Sequence, residues 1–179
     1  MTQPVSSSLM PRDTRRREQV AVFSIAQYSF AISAASVQEI RSTDSLGGTV
    51  VELDRPVLRK VRHIVERDAR FCYVVSGYEH FQLPPSRPTT VLILRNTPVA
   101  VLVDCIEEMA EMRVLLALPH AFRGEERTWY RGLTVLDRKI LPVANPLGFL
   151  TAGELKQLDA QNPGLLRIAV PARQERERV

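Results

Sequence analysis

The longest apolar passage of the chain, Val91 to Met109 (VLILRNTPVAVLVDCIEEM), divides into two short runs separated by turn-forming residues. Val91–Leu94 and Val99–Val103 are aliphatic and largely β-branched, and Arg95-Asn96-Thr97-Pro98 between them predicts a β-hairpin. Neither run alternates with polar residues, so both faces of the hairpin are expected to be covered, placing it centrally in a barrel or sandwich. Asp104 ends the second run. Glu107, Glu108 and Glu111, interleaved with Ile106, Met109 and Met112, then read as a solvated face leaving a buried strand.

A second hairpin is predicted near the start: Val20–Ile25, a tight turn at Ala26-Gln27, and Tyr28–Ile32, with Tyr28, Phe30 and Ile32 on one face and Ser29 and Ala31 on the other. Ser33 is placed to cap the next segment, in which Ala34, Val37 and Ile40 stand at three-residue spacing. That spacing predicts one or two helical turns, with Glu39 and Arg41 projecting outward. Val50–Leu53 is strand-like and Pro56 stops it. Arg59 to Arg67 is more charged than a strand warrants, whereas Phe71–Val75 is a clear strand. Pro84, Pro85 and Pro88 mark Tyr78–Thr90 as an exposed connection. Val114–Pro119 is a further apolar segment, His120–Arg127 is a charged loop, and Trp129, Tyr130 and Leu133 return to the core. An Asp137-Arg138 turn leads to Ile140–Val143, and Thr151-Ala152-Gly153-Glu154 is a capping box that opens a short helix through Leu155, Leu158 and Asp159. Residues 1–18 carry little to bury and are expected to be a disordered tail. Residues 161–179 form a second tail, in which Leu165–Val170 could add an edge strand.

Composition narrows the function classes. The 179 residues suffice for one domain, or two small subdomains sharing a core. Cys72 and Cys105 are the two cysteines; each lies in an apolar run and is expected to behave as a small hydrophobe, outside any disulfide framework. No apolar run approaches a membrane span and the first residues lack a signal-type apolar stretch, so a cytoplasmic protein without direct membrane insertion is expected. The net charge of +4 lies at the ends. Four of the 24 basic residues and two of the 20 acidic ones precede Gln19, and the same numbers follow Ala160, which leaves 16 of each in the body. A body with balanced charge argues against a phosphate-tracking surface and hence against a small nucleic-acid-binding β-barrel. His63, His80 and His120 lie in separate connections without ligands at metal spacing, and neither a nucleophile elbow nor a phosphate loop is present. No metal, cofactor or catalytic residue is expected.

Several stretches resemble one known family. Tyr28-x-Phe30-Ala31-Ile32 followed by Val37-Gln38-Glu39-Ile40-Arg41 resembles the opening of CheW-type chemotaxis adaptors; Val99–Asp104 resembles their second-subdomain hairpin, and Gly132–Leu141 their closing strand pair. The resemblance covers about Gln19 to Ala160. It implies a mainly β fold of two small, intertwined, five-stranded SH3-like β-barrel subdomains with a few short helices. It also implies a non-catalytic adaptor joining the cytoplasmic tip of methyl-accepting chemoreceptors to the regulatory domain of a CheA-type histidine kinase, recruited to membrane-associated receptor arrays. Val37, Glu39, Ile40 and Arg41 match the segment at the family's receptor-contacting groove, and Ala100 falls beside that groove. The chain departs from the family before Phe71. There His63 stands at a glycine, Asp68 at the interface arginine with Arg67 one residue off, and Ala69 at a second glycine; Ser76 replaces an aspartate. An Arg to Asp change reverses charge and removes a planar five-donor fork. Arg62, His63, Arg67 and Asp68 are therefore candidate interface residues, and the departures leave open a scaffold of a motility (type IV pilus-like) or other chemosensory pathway that binds only one partner.

Overall fold

The computed structural model describes residues 17–46, 49–51, 58–67 and 70–161, and for residues 49–51, 67 and 70 the description covers the backbone. The chain order begins β1 (Glu18–Ile25), β2 (Tyr28–Ser33), a 3₁₀ turn (Ala34–Ser36), β3 (Val37–Ser42), a second 3₁₀ turn (Thr43–Ser45) and β4 (Thr49–Val51). It continues with β5 (Val61–Arg67), β6 (Arg70–Ser76), α1 (Gly77–His80), β7 (Thr90–Leu94), β8 (Val99–Val103) and β9 (Cys105–Met112). Then come α2 (Glu126–Trp129), β10 (Tyr130–Leu136), β11 (Lys139–Ala144), a 3₁₀ turn (Pro146–Gly148) and α3 (Ala152–Gln161).

The strands form two sheets, one of five in the order β10-β11-β2-β1-β9 and one of six in the order β3-β7-β8-β6-β5-β4. Each contains two antiparallel hairpins joined side by side through a parallel pair, β11 with β2 in one and β6 with β8 in the other. Each adds an antiparallel fifth strand beyond the second hairpin, β9 on β1 and β3 on β7. Read cyclically, β9-β10-β11-β1-β2 of the first sheet repeats β3-β5-β6-β7-β8 of the second, with β4 as the extra strand. The second sheet is thus made from the continuous middle of the described chain, Val37–Val103, whereas the first needs strands from both sides of it and cannot form from one uninterrupted segment.

Local chemistry sets the hairpins. Ala26 and Gln27 both have positive φ, 50° and 72°, as do Asp137 and Arg138, 44° and 66°. Two consecutive left-handed residues match the twist of a two-residue β-turn. The first turn is tied down by Asp104, whose Oδ2 accepts from the Ala26 N–H at 2.7 Å, while the Asp104 N–H donates to Ser24 O at 2.9 Å. Thr89 Oγ1 donates to Asp104 O at 2.6 Å. One residue after β8 therefore fastens a turn of the first sheet to the β7–β8 hairpin of the second.

The main core lies between the sheets, with Phe23, Ile25, Phe30 and Ile32 from one and Ile64, Tyr73, Leu92 and Val101 from the other. Smaller clusters cover the opposite faces: Val20, Ala31, Met112 and Val143 on the five-stranded sheet, and Val65, Val74, Val91 and Ala100 on the six-stranded one. Strands apolar at every position thus bury both faces, as the β7–β8 sequence predicts. The capping box also forms: the Glu154 N–H donates to Thr151 Oγ1 and Glu154 Oε2 accepts from the Thr151 N–H, at 3.2 and 2.8 Å. Leu158 is fully buried, and Tyr73 Oη donates to Asp159 at 2.6 Å, seating α3 on β6.

Several expectations are corrected. Val37–Ser42 is a strand; the helix stops at the Ala34–Ser36 turn because β7 pairs with the backbone beyond it, from Val37↔Leu94 to Ser42↔Thr90. The Ser33 side chain makes no capping bond. The charged stretch before Arg67 is strand β5, whose apolar members Ile64 and Val65 fill cores on opposite faces. One sheet has six strands where five are expected. Cys105 is exposed, beside Ser24 Oγ at 3.1 Å, because it starts strand β9 at the end of the sheet; Cys72 is half-buried. The Tyr78–Thr90 connection opens inside α1 and buries His80 and Phe81. Leu115 and Leu116 are exposed, although Leu116 and Leu133 exchange backbone hydrogen bonds of 2.7 and 2.9 Å. Of the tails expected over residues 1–18 and 161–179, Glu18 instead opens β1, paired with Met112 and held by Arg131 at 2.7 Å, and Gln161 ends α3; residues 1–16 and 162–179, together with Leu53, Pro56, Asp68 and Ala69, lie outside the described residues.

Candidate functional site

Cross-strand neighbours share a face of a sheet, so register decides which candidates meet. On the six-stranded sheet, Glu39 pairs with Ile93 and Arg41 with Val91; Ile93 in turn pairs with Ala100, Ala100 with Val74, and Val74 with His63. Glu39, Arg41, Ala100 and His63 therefore lie on one face, the face directed away from the shared core. Val37 pairs with Leu94 and packs against the shared core, a consequence of the irregularity between Val37 and Glu39. Ile40, 43% exposed, pairs with Leu92 on that core side but projects past its rim. Arg62 sits at the irregularity between Val61 and His63 and turns to another cleft. Arg67 pairs with Arg70 at the end of the hairpin.

The face bearing Ala100 carries a groove of about 670 Å³, floored by Val65, Cys72, Val74, Ile93 and Ala100 and ended by the Arg95–Pro98 turn. Phe71, Leu46 and Gln38 form its sides. Elsewhere on the same sheet face Arg41 donates to Glu39 Oε1 and, through Nη1, to Ser45 O at 3.1 Å. Burial lowers the His63 pKa below its ordinary value. The groove itself offers an apolar strip, a shape suited to receiving apolar side chains of a protein partner. Burial pushes the Cys72 thiol up to about 11, leaving it protonated at neutral pH and a poor nucleophile. Among the described residues no three His, Cys, Asp or Glu side chains gather as metal ligands.

The second cleft lies where the sheets meet. Arg62 Nη2 donates to Glu79 Oε1 at 2.8 Å and to Tyr78 Oη, with its guanidinium over the Tyr78 ring. Lys60 Nζ meets Glu154 Oε1 at 2.7 Å. Glu79 and His80 were missed by the sequence reading, since nothing in the spacing of Tyr78–Thr90 marks α1. The groove floor was not legible, because β5 reads as too charged for a strand and β7 shows no alternation that would mark one face.

Compared with solved structures, the chain is similar to the scaffolding protein TtCheW from Thermoanaerobacter tengcongensis, with a TM-score of 0.64 at 13% identity, over 76% of this chain and 95% of that one. No protein-family model matches the sequence, and no curated protein matches it. The chain thus has a CheW-like fold carried by a divergent sequence. Among the described residues no helix is long and apolar enough to cross a membrane.

Proposed function

We propose that the protein is a non-catalytic, cytoplasmic adaptor of a bacterial chemosensory system, with its two sheets acting as small SH3-like barrels in one CheW-like domain over residues 19–160. It would join the cytoplasmic tip of chemoreceptors to the regulatory domain of a CheA-type histidine kinase. The observation that carries this reading is the likeness to a scaffolding protein over nearly all of that protein's length. Supporting it, four candidate interface residues, Glu39, Arg41, His63 and Ala100, share one sheet face, and Ala100 lies in the floor of an apolar groove on that face.

The mechanism is geometric coupling. Two modest interfaces on one rigid body hold receptor and kinase at fixed spacing, and multiple linkages in an array raise the effective concentration of each for the other. A receptor rearrangement then changes kinase activity to the extent that the linked states differ in free energy. Co-sedimentation of receptor cytoplasmic fragments with a CheA-type kinase from the same genome tests this. The kinase is expected in the pellet only with the adaptor present, and an Arg41→Glu variant should lower its recovery at least fivefold. Recovery independent of the adaptor would refute the reading. A single-partner scaffold is the second reading, favoured by Asp68 at the position matching the family's arginine; there the adaptor would pellet with one partner and never bridge the two.

A further inference from the structure

Among the described residues five buried side-chain polar atoms lack a hydrogen-bond partner, and four of them belong to one stretch of five residues: Ser76 Oγ, Glu79 Oε2 and both ring nitrogens of His80. This stretch is α1 with the residue before it. Ser76 stands where a serine normally caps a helix, yet its side chain makes no capping bond. Ser76 and His80 are 1% and 3% exposed. Buried polar atoms are rarely left unpaired, because each forgoes the hydrogen bond it makes in water. Concentrated in α1, that cost makes the segment less stable than the sheets on either side of it.

Apolar packing holds α1 in place against that cost. A Cβ on Gly77 would lie 2.5 Å from Ile25 Cδ1 in the five-stranded sheet and 2.6 Å from Leu102 O in the six-stranded one, so α1 is a wedge between the two. The His80 ring is boxed by Phe81, Trp129 and Phe149 at centroid distances of 4.7, 5.0 and 4.8 Å, and Phe81 stacks on Phe30 at 4.6 Å. The charged and titratable groups around the box, from every element packed on it, are Arg59 and Lys60 ahead of β5, Arg62 in β5, Tyr78 and Glu79 in α1, Glu125 ahead of α2 and Glu154 in α3. Lys60 is paired with Glu154 and Arg62 with Glu79, and none of these groups bonds to the ring.

We propose that Ser76–Phe81 is a switch segment: it opens as a unit while both sheets stay folded, carries His80 from its aromatic box into water, and opens more as the solution becomes acidic. Opening gives all four unpaired atoms water partners and lets the imidazole take up a proton that the box refuses. Burial first, and then the charge of Lys60, lower the His80 pKa from 6.5 to about 3 in the closed form. Protonation therefore favours the open form, and the bias grows as pH falls below 6.5, with a limit of about tenfold per pH unit. On the adaptor reading, loosening this wedge alters the spacing that the two interfaces hold; the opening itself does not rest on that reading.

Native-state hydrogen exchange on the full chain tests this. The reporters are the amides of Phe81 and Leu83, which donate to Gly77 O at 3.0 Å and Tyr78 O at 2.7 Å, and the amide of Tyr73 in β6, which donates to Pro98 O at 2.8 Å. After correction for intrinsic exchange, Phe81 and Leu83 are expected to be roughly a hundredfold less protected than Tyr73 at pH 6.5. Between pH 6.5 and 5, above the range in which most carboxylates titrate, their protection should fall by about fifteenfold. His80→Phe should remove that fall. Ser76→Ala, which deletes an unpaired hydroxyl, should raise the protection of both amides roughly threefold, with Tyr73 still protected as a sign that the sheets stay folded. Equal protection of all three amides at every pH would overturn the switch, because opening would then be global only. No fall in the unsubstituted chain, or a fall that persists in His80→Phe, would overturn the acid drive, and lost protection in Ser76→Ala would overturn the strain assigned to its hydroxyl. No kinase or receptor enters the experiment, so its failure leaves the adaptor reading standing, and failure of kinase binding leaves the switch standing.

Discussion

His80 and Asp104 show how single side chains are held by surroundings that lie far away in sequence. The folded protein resists protonating His80, whose pKa is lowered from 6.5 to about 3, so between those values the unfolded chain binds the extra proton. Stability must therefore fall as pH drops from 6.5 towards 3, with a limiting slope of about 1.4 kcal/mol per pH unit from this one group. Urea midpoints measured across that window should fall less steeply, by about one proton, in His80→Phe; an unchanged slope would show that His80 is not kept neutral. Asp104 accepts from the left-handed Ala26 at 2.7 Å. Asp104→Ala leaves that N–H without its charged acceptor and is expected to cost about 2 kcal/mol in equilibrium unfolding, with Asp104→Asn costing less. The aspartate was visible in the sequence as the end of an apolar run. Its role was not, because its partner lies in a different hairpin.

Among the elements, hairpins and the capped helix were legible because their signals are local: Ala26-Gln27 and Asp137-Arg138 between apolar runs, and Thr151 with Glu154. Thr151→Ala should accordingly destabilise by about 1 kcal/mol. The Val37–Ser42 segment was misread because Ala34, Val37 and Ile40 fit a helical spacing, while the pairing with β7 that makes it a strand is set by residues fifty positions on. Substitution separates the two conformations. Val37 packs on the core whereas Ile40 is 43% exposed, so Val37→Asp is expected to cost about 2 kcal/mol and Ile40→Asp less than about 1. A helix with both on its apolar side would make the two costs alike. For the same reason Val37→Asp is a poor probe of partner binding, and Glu39→Lys or Arg41→Glu, on the groove face, are the informative changes.

For the whole molecule, sequence reading reached two intertwined β units through a family resemblance, since no local pattern reveals that β9-β10-β11-β1-β2 repeats β3-β5-β6-β7-β8. Of the candidate site, Glu39, Arg41, His63 and Ala100 come together, whereas Val37 and Arg62 face elsewhere; a bulge beside each breaks the alternation that a sequence reader extrapolates. The central claim is that this fold still couples to a kinase despite its divergence. Its most direct test is calorimetric titration of the purified protein into the isolated regulatory domain of a CheA-type kinase from the same genome. Micromolar or tighter binding is the predicted result, and it should survive Arg41→Glu, which lies in the segment matching the family's receptor-contacting groove. Absence of binding to every such domain in that genome would contradict the account.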